Sequence, residues 1–358
     1  MLRSIFKILA VCMVLAIMVT AMVGCGKSTN NNRQQKQEES QNNSTENKTE
    51  PDEKIRIGYI VNFAAHEFYK NIIKGQRETA EKLGIEIDVV DANQDIAKQI
   101  SAGENLLAKK VDALIITPVD AKGVMPLIEQ AMKEGIPVIT ESVKAEKQTC
   151  YVGIDDFQGG YLDGKYAGEY IKNNNLETPK ALLVGLPALE ACVNRTEGFK
   201  KGLLEVIPEA EIVAEVDGQG AKDKAMAVAT DALTAHPDIN MIMGINDDST
   251  LGAVQAYKAA GMDISKLAAF GFGVEGNAAK NELADSDSPY QGGLAMFPEN
   301  IGKICVEMAV KAVNGEDVPS DVQVPFDVMN KKNVNDYYQK DGDEWMIKWE
   351  EVEKLSSK

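Results

Sequence analysis

From Ile55 onward the apolar residues follow two alternating rhythms. Short runs rich in Ile, Val, Leu and Tyr are each succeeded by a longer stretch whose apolar positions recur at helical spacing. Residues 55–61 read as a strand. Residues 67–83 read as a helix with Phe68, Ile72, Ile73, Ala80 and Leu83 on one face, stopped by Gly84. Strand 85–91, helix 95–109, strand 112–117, helix 121–134 and strands 136–140 and 151–154 complete a first set. The pattern restarts after a helix at 157–173. It then gives strand 181–186, helix 190–205, strand 211–217, helix 222–235, strand 241–245 and helix 248–260. Strand 267–272, helix 276–284 and strand 290–296 close the second set.

Strict alternation of strand and helix predicts an α/β protein with parallel sheets covered on both faces. Two runs predict two doubly wound lobes. Ligands of such sheets bind outside the carboxyl ends of the strands, so the residues that follow each strand are the candidates for chemistry.

Ahead of the alternating region the text is different. Arg3 and Lys7 precede an apolar run at 8–23, shorter than the ~20 apolar residues a spanning helix needs. This is the layout of a secretory signal. Gly24-Cys25 resembles the lipobox of bacterial lipoproteins, although Met22 stands where Leu is usual. The resemblance implies removal of 1–24, a lipidated Cys25 and anchoring to the outer face of the cytoplasmic membrane. Residues 26–53 are polar and lack aromatics. They bury too little apolar area to offset their ordering entropy, and read as a disordered stalk. From 54 onward about 300 residues remain, enough for two domains.

The net charge is −17, and loss of Arg3 and Lys7 makes it more negative. Nucleic acid is therefore not an electrostatic partner. Of five cysteines, Cys150, Cys192 and Cys305 lie outside the leader and its lipid site. Their wide, odd spacing makes a disulfide framework unexpected. The two histidines, His66 and His236, give no zinc spacing, and nothing calls for a metal or cofactor.

The strand ends carry Asn62, His66 and Phe68-Tyr69; Thr117-Pro118-Val-Asp120; Thr140-Glu141-Ser142; Asp217-Gly-Gln219; Asn246-Asp247-Asp248; and Gly271-Phe-Gly273-Val-Glu275. In this order, with Gly153-Ile-Asp155-Asp156 and Asn194-Arg195-Thr-Glu-Gly198-Phe199, they resemble the ribose and galactose branch of the type I periplasmic solute-binding proteins. The resemblance runs from Lys54 to about Tyr338.

That resemblance implies three crossings between lobes, near 154–156, 295–298 and 324–327, with helix 299–314 returning to the first lobe. The N-terminal lobe is then 54–154 with 297–324, and the C-terminal lobe 155–296 with 325–358. The tail, with Trp345 and Trp349, reads as a surface helix packed on the second lobe. The implied protein is a monomeric, non-enzymatic clamp that delivers a small carbohydrate to ABC permease subunits.

Sugars offer hydroxyl rims and apolar ring faces. Arg195 can span vicinal hydroxyls with its rigid fork, and Asn246 offers a donor and an acceptor. Phe68 and Tyr69 can stack on a ring, with helix core the competing use of either. The ligand-contacting set is therefore Asn62, His66, Phe68, Tyr69, Thr117, Glu141, Arg195, Asn246 and Glu275. Departures from the branch are Glu141 for its usual Asp, Ser142 for Arg, Gly273 for Asp and Met296 for Gln, with Gly220 near an expected aromatic. The added glycines suggest a roomier cleft and a ligand other than ribose or galactose, such as an oligosaccharide. His66 and Glu275 are candidates to compensate.

Other signals carry less. Gly271–Gly276 fits G-x-G-x-x-G but falls late in the second set. Asp91-Ala-Asn93-Gln-Asp95 starts like a calcium loop but has Ile96 where Gly is needed. The pairs Asp155-Asp156 and Asp247-Asp248 read as helix caps. A furanone, nucleoside or polyol presented to a membrane sensor is a second reading. An enzyme would need a nucleophile–base pair or metal cluster, and neither is visible.

Overall fold

The computed structural model describes residues 54–357. The leader, Cys25 and the stalk lie outside the described residues. The first set of elements is β1 (Arg56–Val61), α1 (Glu67–Leu83), β2 (Glu86–Asp91), α2 (Ile96–Ala108), β3 (Ala113–Ile116), α3 (Met125–Lys133), β4 (Val138–Glu141) and β5 (Cys150–Gly153). The second is α4 (Asp156–Asn173), β6 (Lys180–Gly185), α5 (Glu190–Val206), β7 (Glu211–Asp217), α6 (Lys222–Ala235), β8 (Met241–Gly244), α7 (Asp247–Ala259), β9 (Ala268–Gly273), α8 (Asn277–Ala284) and β10 (Tyr290–Ala295). Then follow α9 (Pro298–Val313), β11 (Asp321–Gln323), β12 (Asp327–Asn330), α10 (Val334–Tyr337), β13 (Tyr338–Asp341), β14 (Glu344–Ile347) and α11 (Trp349–Glu353).

The strands form two six-stranded sheets, ordered β11-β5-β4-β3-β1-β2 and β12-β10-β9-β8-β6-β7. All neighbours are parallel except β12, which runs antiparallel to β10. Each sheet reverses its order beside its first strand, between β1 and β3 and between β6 and β8. That switch opens a crevice at the carboxyl ends. The central strands are buried on both faces and read as continuous apolar runs, Ala113–Ile116 being fully buried. The chain passes from the first sheet to the second lobe at 154–155, back at 296–297, and across again at 324–326.

Helices α1 and α9 touch backbone to backbone. A Cβ on Gly75 would stand 1.9 Å from the Glu299 carbonyl oxygen, and one on Gly302 2.2 Å from that of Ile72. Small residues there bring α9 down against α1 and fix the first lobe's outer layer.

Two expectations are corrected. Helix α3 starts at Met125, not at 121, because Pro126 lacks an N–H and is accepted only in a first turn. The tail is not a single surface helix. β13 and β14 pair as a hairpin about Gly342, at φ 59°, and only α11 and the 3-10 turn Lys354–Ser357 after it are helical. Trp345 and Ile347 alternate inward into the second lobe's core while Met346 points out. The tail also reaches the first lobe: Lys82 of α1 and Lys303 of α9 lie over the Trp349 ring at 5.5 and 5.6 Å, and Lys303 pairs with Glu353.

Candidate functional site

The first lobe's contribution is a buried hydroxyl–carboxylate knot at the ends of β1, β3 and β4. Glu141 is fully buried, and its Oε1 accepts from the Tyr59 hydroxyl at 3.1 Å and from Thr117. Tyr59 and Thr117 are linked at 2.9 Å, and the Ser142 hydroxyl donates to Glu141 Oε2. Burial pushes the Glu141 carboxyl above its ordinary range, and these hydroxyls pull it back. Ser142 sits at φ 59°, so the Glu141–Ser142 corner is strained.

Beside the knot, Asn62 donates to the Tyr69 hydroxyl at 3.0 Å, while its own Oδ1 is buried without a partner among the described residues. Phe68 packs in the first lobe's core and meets Tyr69 edge-on at 5.1 Å. Of the two rings, Phe68 is therefore a core residue and Tyr69 the one tied to a strand end. His66 caps α1, its Nδ1 accepting the Phe68 N–H at 3.2 Å. Burial lowers its pKa, with Asp248 and Glu67 opposing.

The second lobe presents Arg195 from α5. Its Nε donates to Asp156 at 2.7 Å and its Nη1 to the Ile245 carbonyl at 3.2 Å, and the guanidinium lies 4.3 Å from the centre of the Phe272 ring. The remaining N–H groups of the fork are uncommitted. Asn246 is heavily used by the fold: its Oδ1 accepts from Ser249 N and its Nδ2 donates to the Gly220 carbonyl, both at 2.9 Å.

Asn246, not Asp247, caps α7. Asp247 instead turns inward and pins the loop after β9. It accepts from Tyr290 OH at 2.9 Å, from Val274 N at 3.3 Å and from Glu275 N at 2.8 Å. Burial raises its pKa, with these donors opposing. Val274, a β-branched residue, is held there at φ 46°, a conformation that only such anchoring sustains. Asp155 does cap α4, through Gln158 N, whereas its neighbour Asp156 is the partner of Arg195.

Glu275 is 3% exposed, and its carboxylate makes no hydrogen bond or ion pair among the described residues. Its carbonyl is held twice, by Asn71 Nδ2 of the first lobe at 2.6 Å and by Lys280 Nζ at 3.0 Å. The space left by Gly273 is not vacant. A Cβ there would stand 3.0 Å from Glu275 Cδ, so the Glu275 carboxyl folds over Gly273. At Gly273 the expected space is therefore taken by Glu275. At Gly220 such a Cβ would make only ordinary contacts, 3.4 Å from Asn246 Nδ2 and 3.5 Å from Leu186. Gly271 has a packing reason instead, since a Cβ would meet the Tyr290 hydroxyl at 2.2 Å.

Sequence reasoning missed Tyr59, Asn71 and Lys280, and gave Asp156 and Asp247 only capping roles. Tyr59 looks like any inward strand residue, and no local signal marks Asn71. Among the described residues no group of His, Cys, Asp or Glu could hold a metal ion. Cys150, Cys192 and Cys305 are free and buried.

A model described as the periplasmic binding protein domain matches residues 57–317. The ribose import binding protein RbsB of Bacillus subtilis is 29% identical over 283 residues, covering 78% of this chain and 88% of that protein. An ABC transporter periplasmic solute-binding protein from Actinobacillus succinogenes, solved with bound D-allose, superposes at TM-score 0.73. It is 29% identical and covers 79% of this chain and 100% of its own. A solute-binding protein from Bacillus halodurans, solved with myo-inositol, gives TM-score 0.69 at 26% identity, covering 79% and 96%. The chain belongs to the periplasmic binding protein family, and it is a binding protein rather than an enzyme.

Proposed function

We propose that this chain is the solute-binding component of an ABC importer, that it takes a small carbohydrate between its lobes, and that it is tethered outside the membrane through Cys25. The observation that carries this reading is the convergence of polar groups from two strand-end faces. Asn62, Tyr69 and Glu141 come from one lobe and Arg195 and Glu275 from the other, and Asn71 joins the two at the Glu275 carbonyl. The relatives named for ribose import and solved with D-allose support a sugar as the ligand class.

Closure is the mechanism. The covalent links between the lobes are short, so the lobes can rotate apart once contacts such as Lys303–Glu353 and Asn71–Glu275 release. A ligand that contacts both lobes favours the closed state by its differential affinity, which must reach ~10⁴-fold to drive 1:99 to 99:1. His66, Thr117 and Asn246 then shape the site by bracing it, and Arg195, Asn62, Tyr69 and Glu275 supply the contacts. Permease subunits would read the closed form.

A thermal-shift screen of monosaccharides, oligosaccharides, polyols and nucleosides tests the reading, because ligand bound to the native state raises the melting temperature. A sugar should give the largest shift; a nucleoside alone would refute it. A polyol is the second reading, favoured by the neighbour solved with myo-inositol. Mass spectrometry of the native protein should find lipid on Cys25, and a free N-terminus elsewhere would remove the anchor without removing the binder.

A further inference from the structure

The charges around the cleft do not balance. Arg195 and Lys280 lie in the field of Glu275 but form no ion pair with it among the described residues. Arg195 is paired with Asp156 at 2.7 Å, and Lys280 donates to a carbonyl and lies in the field of Glu299. Lys70, on the His66 side, is paired with Glu67. Against this stand acids that form no ion pair among the described residues. Glu141 is satisfied by hydroxyls alone. Glu275 is 3% exposed with nothing bound to its carboxylate, and Asp248, close enough to act on both Glu275 and His66, makes no ion pair or hydrogen bond through its carboxylate among the described residues. On the first lobe's side the acceptor Asn62 Oδ1 is also buried and unpartnered among the described residues.

Leaving a carboxylate buried and unpaired is among the costliest arrangements in a protein. Here Asp247 and Asn71 hold the Glu275 main chain in place from both lobes while the side chain stays unsatisfied. This points to a partner that arrives with the ligand. A sugar hydroxyl would donate one hydrogen bond and leave the charge. An ammonium would supply donors and the missing positive charge together. Resting on the carbohydrate reading above, we propose that the ligand carries a cationic amino group, as an amino sugar or aminocyclitol does, and that Glu275 holds that ammonium. Burial and the neighbouring Asp247 raise the Glu275 pKa, with Arg195 and Lys280 opposing.

Calorimetric titration of the full chain with matched pairs tests this. The pairs are D-glucosamine against D-glucose, D-galactosamine against D-galactose, and an inosamine against its inositol. At least one amine should bind about tenfold or more tighter than its parent, the premium of a charge-assisted over a neutral hydrogen bond. Glu275→Gln, checked for folding by its melting curve, should bring that ratio to about one. Asp248→Asn should reduce it by a smaller factor. If every parent binds as tightly as its amine, the proposal fails and the carbohydrate reading stands. A preference that survives Glu275→Gln removes Glu275 as the anchor. If no member of any pair binds, the carbohydrate reading falls, and this proposal with it.

Discussion

Arg195 lets the stability and binding roles of one side chain be separated. The guanidinium and the Asp156 carboxylate are 15% and 14% exposed and 2.7 Å apart. Arg195→Ala strands Asp156, takes the donor from the Ile245 carbonyl and uncovers Phe272. Breaking a buried pair from one side costs about 3–5 kcal/mol. Water can reach this one from the cleft, so we expect the lower end, about 3 kcal/mol, a large part of a native protein's ~5–15 kcal/mol. Asp156→Ala with Arg195→Ala removes both charges and should leave a deficit of only about 1 kcal/mol, that of the lost hydrogen bonds.

Binding should not follow stability. Both variants lack the free N–H groups of the fork. Hydrogen bonds from a charged donor are worth about 1.5–3 kcal/mol, or roughly 10- to 150-fold in affinity. Urea unfolding followed by circular dichroism gives the first quantity, and calorimetric titration of the best-bound sugar gives the second. A double variant that recovers stability but not affinity is the expected result. A double variant that binds like the wild type would remove Arg195 from the site. One as unstable as the single variant would show that the two charges do not depend on each other.

Asp163 of α4 is fully buried, and neither carboxylate oxygen has a partner among the described residues. Burial raises its pKa well above 3.8. The folded state therefore holds the proton more tightly, and stability is full below the ordinary carboxylate range and is lost as pH rises toward the raised value. Asp163→Asn should raise the melting temperature at neutral pH and flatten its decline above about pH 4; a lower melting temperature at pH 7 would contradict this. Asn71→Ala removes the hydrogen bond to the Glu275 carbonyl, worth about 0.5–1.5 kcal/mol. Urea unfolding of the unliganded protein should show a loss of about that size, and an unchanged midpoint would mean that the bond forms only once ligand has closed the lobes. Gly75→Ala places a methyl 1.9 Å from the Glu299 carbonyl and must push α9 off α1. It should destabilise by about 1–3 kcal/mol or more in urea unfolding, and an unchanged midpoint would mean the helices are less closely seated.

Most of the architecture was legible because it rests on periodicity. Runs such as Ala113–Ile116 are apolar on both faces, and the helices between them keep one apolar stripe, so the α/β alternation is written directly in the text. The tail was misread because its alternation, Trp345 and Ile347 in and Met346 out, covers only four residues of β14 beside a short helix. The places where the site lies were legible from strand ends, but the division of labour was not. Asn246-Asp247-Asp248 reads equally as cap or ligand group, and only the inward turn of Asp247 toward Val274 and Glu275 assigns the parts. Gly273 looked like a loss of contact, yet its φ of 124° lets the Glu275 carboxyl fold over it, a backbone fact that spacing alone does not reveal. Asn71 acts across 204 positions of sequence, which no local pattern encodes.

The central claim is that one ligand is held by both lobes at once. Amide hydrogen exchange, read with and without the best-bound carbohydrate, tests it most directly, because protection reports local opening segment by segment. Exchange should slow together at 62–69 in the first lobe and at 273–276 in the second. Protection confined to one lobe, or appearing away from both strand-end faces, would contradict it.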